Sequence, residues 1–273
     1  MIYDCFTFLN KNTLLDIRLN TLKDIVDKFV VIESNKTFVG RPKPKNFDER
    51  FLEEFPDKII YVYLEDKLNA RNPWENETIQ RNYILDVLKQ QNCSDDDIIL
   101  ISDIDEIPDP IAIEYYKQNP EGVNSLLQNF YNCYLNLHNC TESPWKKAKI
   151  LQYKEFFNPE NRPTLISSAY IPELNEDITP TCIRLMTVYK SIRGGWHFSY
   201  LGGAEAIKYK IENFSHQEFN TPNYTDINII KERLFNEEDI LGRNLVFEKV
   251  DIDNSFPKYI VENKEKFKEF ILP

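Results

Sequence analysis

Three carboxylates stand within four residues at Asp103-Ile104-Asp105-Glu106, directly after the strand-like stretch Asp97 to Ile101. Mutual repulsion makes such a cluster costly, and a divalent cation relieves it. Hard oxygen ligands suit Mg²⁺ or Mn²⁺, which can also bridge a diphosphate. A metal held there would act as a Lewis acid on a departing phosphate. In a strand Asp103 and Asp105 point to the same side, so both can approach one metal–nucleotide complex. The competing reading is an acidic loop in an acidic chain, and Asp-x-Asp alone does not decide between the two. Its place after a strand favours the site. His197 is one of three histidines, and a late histidine can complete a metal site opened by an Asp-x-Asp. A buried histidine beside Trp196 is the alternative. His216 is the runner-up, and His138 lacks supporting context.

The elements that would carry these residues alternate. Ile2 to Phe8 reads as a strand, and a helix follows from Asn12, capped by Asn12 or Thr13. Phe29 to Ile32 and Ile59 to Leu64 read as strands, and Glu77 to Gln90 as a helix. Another helix is expected from Ile111 to Lys117. Strands separated by helices argue for an α/β fold with a mostly parallel central sheet and helices on both faces. Ligands of such sheets bind beyond the carboxyl ends of the strands, where Glu33-Ser34 and Asp103-Ile104-Asp105 both fall. The second half is less regular. Lys149 to Phe157 reads as a strand, Gly194-Gly195 as a turn into an aromatic segment, and Ala204 to Glu212 and Asp226 to Phe235 as helices. One domain over 1–273 is the simplest division, with 1–120 as its nucleotide-binding half and 121–273 as its acceptor-binding and C-terminal half.

Bulk properties narrow the function. At 273 residues and 42% hydrophobic, the chain can bury a substantial core. A net charge of −11 disfavours nucleic acid as a partner. No long uncharged apolar run offers a transmembrane segment, and Met1 to Phe6 reads as a strand rather than a signal peptide. Five cysteines without metal-ligand spacing fit reduced thiols. A cytoplasmic enzyme is the expectation.

Ser102-Asp103-Ile104-Asp105-Glu106-Ile107-Pro108 resembles the Asp-x-Asp-Glu-Ile-Pro signature of glycosyltransferase family 17, which includes the bisecting β-1,4-N-acetylglucosaminyltransferases of vertebrates. Further stretches are similar in the same order: Ile2 to Phe8, Leu14 to Leu19, Val26 to Ser34 with Thr37, Gly40, Lys43 and Pro44, then Glu77, Gln80, Arg81 and Asn82, and Gly195 to Tyr200. The resemblance implies a GT-A-like fold, a UDP-sugar donor with UDP-N-acetylglucosamine favoured, a divalent metal, and transfer with inversion to a β linkage on a glycan acceptor. A bacterial or viral-type enzyme building a glycan other than an N-glycan fits a chain that opens at the catalytic-domain strand.

Individual roles follow from that reading. Asp103, Asp105 and His197 are the expected metal site. Donor contacts are expected from Glu33 on uracil or ribose, Lys43 on phosphate, Arg81 on phosphate or paired with Asp103, Asp103 on ribose, Gly195 near the diphosphate, and Trp196 stacked on sugar or base. Each has a plainer alternative: a solvated Lys43, an Arg81–Glu77 helical pair, a Gly-Gly turn, core packing of Trp196 and Tyr200. Glu106 either orients backbone, accepts a sugar hydroxyl, or forms a salt bridge to a lysine or arginine. An inverting transferase needs a carboxylate base. The resemblance points to Glu205, which also suits the first turn of a helix simply by favouring its dipole. Glu142 and Glu173 are further candidates, and acceptor contacts are expected among Asn139 to Asn175. A sugar nucleotidyltransferase would share the carboxylates and metal, but no P-loop pattern supports it. A non-catalytic nucleotide- or glycan-binding module is the third possibility; UDP release on addition of acceptor separates the three.

Overall fold

The computed structural model describes residues 1–158, 160 and 177–273. Glu173 and the stretch up to Asn175 therefore lie outside the described residues. The first half runs β1 (Ile2–Phe8), α1 (Asn12–Leu22), β2 (Lys28–Ser34), α2 (Arg50–Glu54), β3 (Ile59–Leu64), α3 (Pro73–Gln90), β4 (Ile98–Asp103), β5 (Glu106–Pro108) and α4 (Pro110–Gln118). The second runs β6 (Asn124–Asn132), β7 (Leu137–Asn139), β8 (Lys149–Gln152), α5 (Pro180–Leu185), β9 (Ser191–Ser199), α6 (Gly203–Asn213), α7 (Pro222–Thr225), α8 (Ile227–Phe235), β10 (Phe247–Lys249) and α9 (Lys258–Glu262). One sheet joins the strands in the order β10-β7-β6-β8-β4-β1-β2-β3, with β9 against β6 and β5. The expected α/β architecture is present. Strands β3, β2, β1 and β4 are mutually parallel, and the second half extends the sheet largely by antiparallel pairing.

The central parallel strands β1, β2 and β4 are mostly apolar because both of their faces are covered. Phe6 and Phe8 of β1, Phe29 and Val31 of β2, and Ile98 and Leu100 of β4 join α1, α4 and α9 in one core. The intervening Tyr3, Cys5, Val30, Ile32, Ile99 and Ile101 join α3 and α5 on the other face. A smaller cluster around Ile207, Ile211 and Ile230 ties α6 to α8. Among the described residues, no helix is long and apolar enough to cross a membrane.

Several local expectations change. Lys11, not Asn12 or Thr13, stands at the cap position of α1, without a side-chain cap. Asn12 instead donates to the Asn46 carbonyl at 2.8 Å. The strand expected over Lys149–Phe157 stops at Gln152, which pairs with Ile98, the first residue of β4. Beyond it β4 offers no further residue to pair with, and Tyr153–Phe157 coils into a 3-10 turn. Gly194 and Gly195 form no turn; they lie inside β9. At Gly195 φ is +127°, and a Cβ there would sit 2.2 Å from the Ile107 carbonyl, so the close β5–β9 approach requires glycine.

Candidate active site

The carboxyl ends of β1 and β4 open into a cavity of about 630 Å³, lined on that side by Thr7 to Lys11 and by Asp103 to Glu106. Its floor is organised by Arg18, a fully buried residue of α1. The guanidinium pairs with Asp4 through Nε at 2.7 Å and Nη2 at 2.6 Å. It also donates to the carbonyls of Asp103 (2.7 Å) and Glu106 (3.0 Å) and to Ser102 Oγ at 2.5 Å. One planar cation therefore grips the backbone of the whole acidic turn, a task that suits arginine's rigid fork.

The strand ends at Asp103, and Ile104-Asp105 form a turn into β5. The two aspartates therefore do not share a strand face, although both reach the cavity wall. Asp103 continues the Ile99–Ile101 face of β4, toward α3 and α5, and meets arginines from both helices. Arg81 donates to Oδ1 at 2.8 Å and Arg184 to Oδ2 at 2.5 Å. Arg81 also pairs with Glu77 at 2.8 Å, so its pairings with Asp103 and with Glu77 hold at once. Glu106 is fully buried and takes a bidentate Arg184 at 2.6 and 2.7 Å. It also accepts from Trp145 Nε1 and from the Asp103 amide. Burial would raise the Asp103 carboxyl, but Arg184 and Arg81 outweigh it and hold it below the usual range.

Asp105 has different neighbours. Lys210 of α6 donates to its Oδ2 at 3.0 Å, and His197 Nε2 faces its Oδ1 at 3.7 Å. Burial opposes ionisation, yet Lys210 and His197 hold this carboxyl well below the ordinary value. The imidazole stacks on Phe130 at 4.4 Å and lies against Trp145 at 4.6 Å, with Nδ1 buried and unpartnered among the described residues. A 3.7 Å gap is too long for a hydrogen bond. It lies within the span of two ligands on one divalent ion, roughly 3 to 4 Å for bonds of about 2.1 Å. An ionised carboxylate oxygen and an imidazole nitrogen also suit Mg²⁺ or Mn²⁺ chemically. These two atoms fit a divalent ion. Asp103 is spoken for by its arginines, and no cluster of three metal-binding side chains occurs among the described residues. The remaining positions of such an ion would fall to phosphate and water, the usual arrangement for Mg²⁺.

The other expected site residues divide. Glu33 is fully buried and pairs with Lys43, while the Asn46 amide (2.8 Å), the Phe47 amide (3.1 Å) and the Tyr61 hydroxyl (2.7 Å) fill its remaining acceptor capacity. Glu33 and Lys43 thus fasten the loop after β2 and stand outside the cavity lining, which corrects their donor assignment. Trp196 is buried in the main core with its Nε1 donating to the Ser255 carbonyl at 2.8 Å, and Gly195 is held against β5. Neither lines the cavity. Glu205 is exposed on the first turn of α6 and does not line it either. Glu142 does, oriented by Arg243 at 3.0 Å and by Asn139 at 3.1 Å. His216 lines the cavity edge-on to Trp74 at 4.5 Å and pairs with Glu218 at 2.6 Å. Arg18, Arg184, Lys210, Lys11 and Trp145 went unread in the sequence. Arg18 carried the one available signal, a cation in the leucine-rich stretch Leu14 to Leu19.

The model of "Glycosyltransferase family 17" matches residues 1–158, more than half of the chain. The β-1,4-mannosyl-glycoprotein 4-β-N-acetylglucosaminyltransferases of Homo sapiens and Rattus norvegicus are each 36% identical over 103 residues, and that of Mus musculus 35%. Each match covers 35% of this chain and 19% of the mammalian enzyme, so the aligned part is a small share of those proteins. Among solved structures, 4-diphosphocytidyl-2C-methyl-D-erythritol synthase aligns with a TM-score of 0.38 and 13% identity, over 71% of this chain and 89% of its own. Glucosyl-3-phosphoglycerate synthase from Mycobacterium tuberculosis, solved with Mn²⁺, UDP and phosphoglyceric acid, aligns with a TM-score of 0.30 and 12% identity, over 60% and 58%. The family match contains the acidic turn, its Arg18 and Arg81 partners, Glu142 and Trp145, whereas Arg184, His197 and Lys210 come from beyond it. This chain belongs to glycosyltransferase family 17.

Proposed function

We propose that this chain is a glycosyltransferase that transfers N-acetylglucosamine from a UDP-sugar to a hydroxyl of a glycan, with inversion and a β linkage, supported by Mn²⁺ or Mg²⁺. The observation that carries the reading is the facing of Asp105 Oδ1 and His197 Nε2 across 3.7 Å on the wall of the cavity. Those two atoms would hold the metal, which when bound supplies charge neutralisation at the donor diphosphate. Asp103, fixed by two arginines, presents its part-exposed edge to the donor ribose. Asn10, whose buried Oδ1 has no partner among the described residues, accepts from a nucleoside hydroxyl or ring N–H.

On the wall built by 121–273, Glu142 is the base. Glu77, Asp103 and Glu106 are bound to arginines and Asp105 to Lys210; Glu142 meets Arg243 through Oε1 alone, and its Oε2 accepts from the neutral Asn139 amide. Glu142 shares a loop with Trp145, which packs on His197, so the loop brings a carboxylate to the acceptor side of the same cavity. It takes the proton of the acceptor hydroxyl as that oxygen attacks the anomeric carbon. The sugar–phosphate bond breaks, and its electron pair leaves with the diphosphate.

The test is thermal stability of the purified chain against UDP-, GDP- and dTDP-sugars, with and without Mn²⁺. A ligand of the folded state raises apparent stability with its occupancy. A metal-dependent shift with a UDP-sugar alone is expected; no shift with any nucleotide would defeat the donor assignment. Glu142→Gln should keep that shift while kcat falls by roughly 10²–10⁴-fold. Near-normal turnover would move the base elsewhere.

A further inference from the structure

Lys11 and Lys210 are two cations on the cavity wall, of which Lys210 is ion-paired with the acidic turn and Lys11 is not. Lys11 lies between β1 and α1, lines the cavity, and donates from Nζ to the Leu201 carbonyl at 2.7 Å. An ammonium has three donors, and this carbonyl is its one hydrogen-bond partner among the described residues. Lys210 approaches from α6, with Asp105 Oδ2 at 3.0 Å, Ser199 Oγ at 3.4 Å and the Tyr200 ring centroid at 4.7 Å. Burial, and then repulsion from Lys210, push the Lys11 ammonium down to about 8 against the pull of Asp105.

Arg81 and Arg184 are shared among Glu77, Asp103 and Glu106, and Lys210 is paired with Asp105, which leaves Lys11 as the cation of this group without an ion pair among the described residues. A partly buried ammonium with no counter-ion is costly until an anion enters. The loop between β9 and α6 leaves room for one. Gly202 has φ +117°, and a Cβ there would meet Ala206 Cβ at 3.0 Å and lie 3.5 Å from Lys11 Nζ. Glycine keeps the approach to that ammonium clear.

We propose that Lys11 and Lys210 form the cradle for the diphosphate of the donor, an assignment that rests on the nucleotide-sugar reading above. Asp105 then stands between the two devices, its Oδ1 toward His197 and its Oδ2 on Lys210. As the bond from the anomeric carbon to the β-phosphate oxygen breaks, the electron pair settles on that oxygen, and the two lysines stabilise the added charge. Compact ammonium groups suit this, since they act on phosphate as point charges.

The experiment is calorimetric binding of UDP, UMP and uridine, with Mn²⁺ present, to the full chain and to its Lys11→Met and Lys11→Arg variants. Wild type should bind UDP most tightly. Lys11→Met should weaken UDP by roughly tenfold or more, leave uridine unchanged, and be partly rescued by arginine. UDP binding by Lys11→Met at wild-type strength would overturn the cradle while leaving the donor reading intact. A wild type that binds no nucleotide would overturn both. A second readout needs no variant: reductive methylation of Lys11 in the wild-type chain, followed by mass spectrometry. UDP should slow it and uridine should not. Equal labelling with and without bound UDP would again overturn the cradle.

Discussion

The two sides of the acidic turn are built from different cations, and the difference separates what holds the site together from what is free to exchange. On the α3–α5 side, Asp103 and Glu106 are held by Arg81 and Arg184 through short, forked hydrogen bonds, and Arg18 grips the backbone beneath them. On the α6 side, Asp105 is held by one lysine, faces a histidine beyond hydrogen-bond length, and shares its charge with a second lysine. Guanidinium forks fix geometry, whereas ammonium groups on flexible stems can change partners. The arginine side therefore sets the shape of the turn, and the lysine side is the one we propose to meet the ligand.

Arg184→Met should give the largest effect. It strands Glu106, a buried carboxylate, and should cost about 3–5 kcal/mol in stability, read by urea denaturation. A loss below about 1 kcal/mol would mean that the turn stands without its arginine and would break the comparison. Asp105→Asn belongs to the other side. Its urea midpoint should stay near wild type, while Mn²⁺-supported UDP affinity falls at least about 100-fold. If stability falls and affinity holds, the two sides have been assigned in reverse.

A pH experiment probes the rim of the arginine side. Lys149 is buried beside it, donating to Ser125 Oγ at 3.0 Å and to the Lys146 carbonyl at 2.7 Å. Burial and Arg184 push its ammonium down to about 7 despite the pull of Glu106. An unfolded lysine titrates near 10.4. Between these values the unfolded chain binds more protons, so this residue makes stability rise with pH. Measured against Lys149→Met, wild type should gain roughly 1 kcal/mol per pH unit from about pH 8 to pH 9. A flat difference would show that the lysine keeps its ordinary value. The smallest effect is expected at exposed Glu205, where Glu205→Gln should stay within about 0.5 kcal/mol of wild type and transfer at a similar rate. A collapse of transfer would restore it as the base.

Much of the frame was legible because its signals are local. Continuous apolar runs at β1, β2, β3 and β4 announced a doubly covered parallel sheet, and the acidic cluster stood at a strand end as such sheets require. The extent of β4 was not legible. Alternation put Asp103 and Asp105 on one face, but the strand stops at Asp103 and the turn sends Asp105 to α6. Nor was the neutralisation of the cluster. Its charges were read as awaiting a metal, whereas Arg184 and Lys210 arrive from 78 or more residues away, a pairing that no local spacing encodes. Glu33 misled for the related reason that a carboxylate at a strand end can serve the next loop as well as a ligand.

The central claim is that Asp105 and His197 face a metal-bound nucleotide. Release of UDP from UDP-N-acetylglucosamine tests it most directly, followed for wild type with Mn²⁺, for wild type with EDTA, and for Asp105→Asn with Mn²⁺. The expected result is release in the first case and its loss in the other two. Release that continues undiminished in EDTA and in the variant would contradict the account.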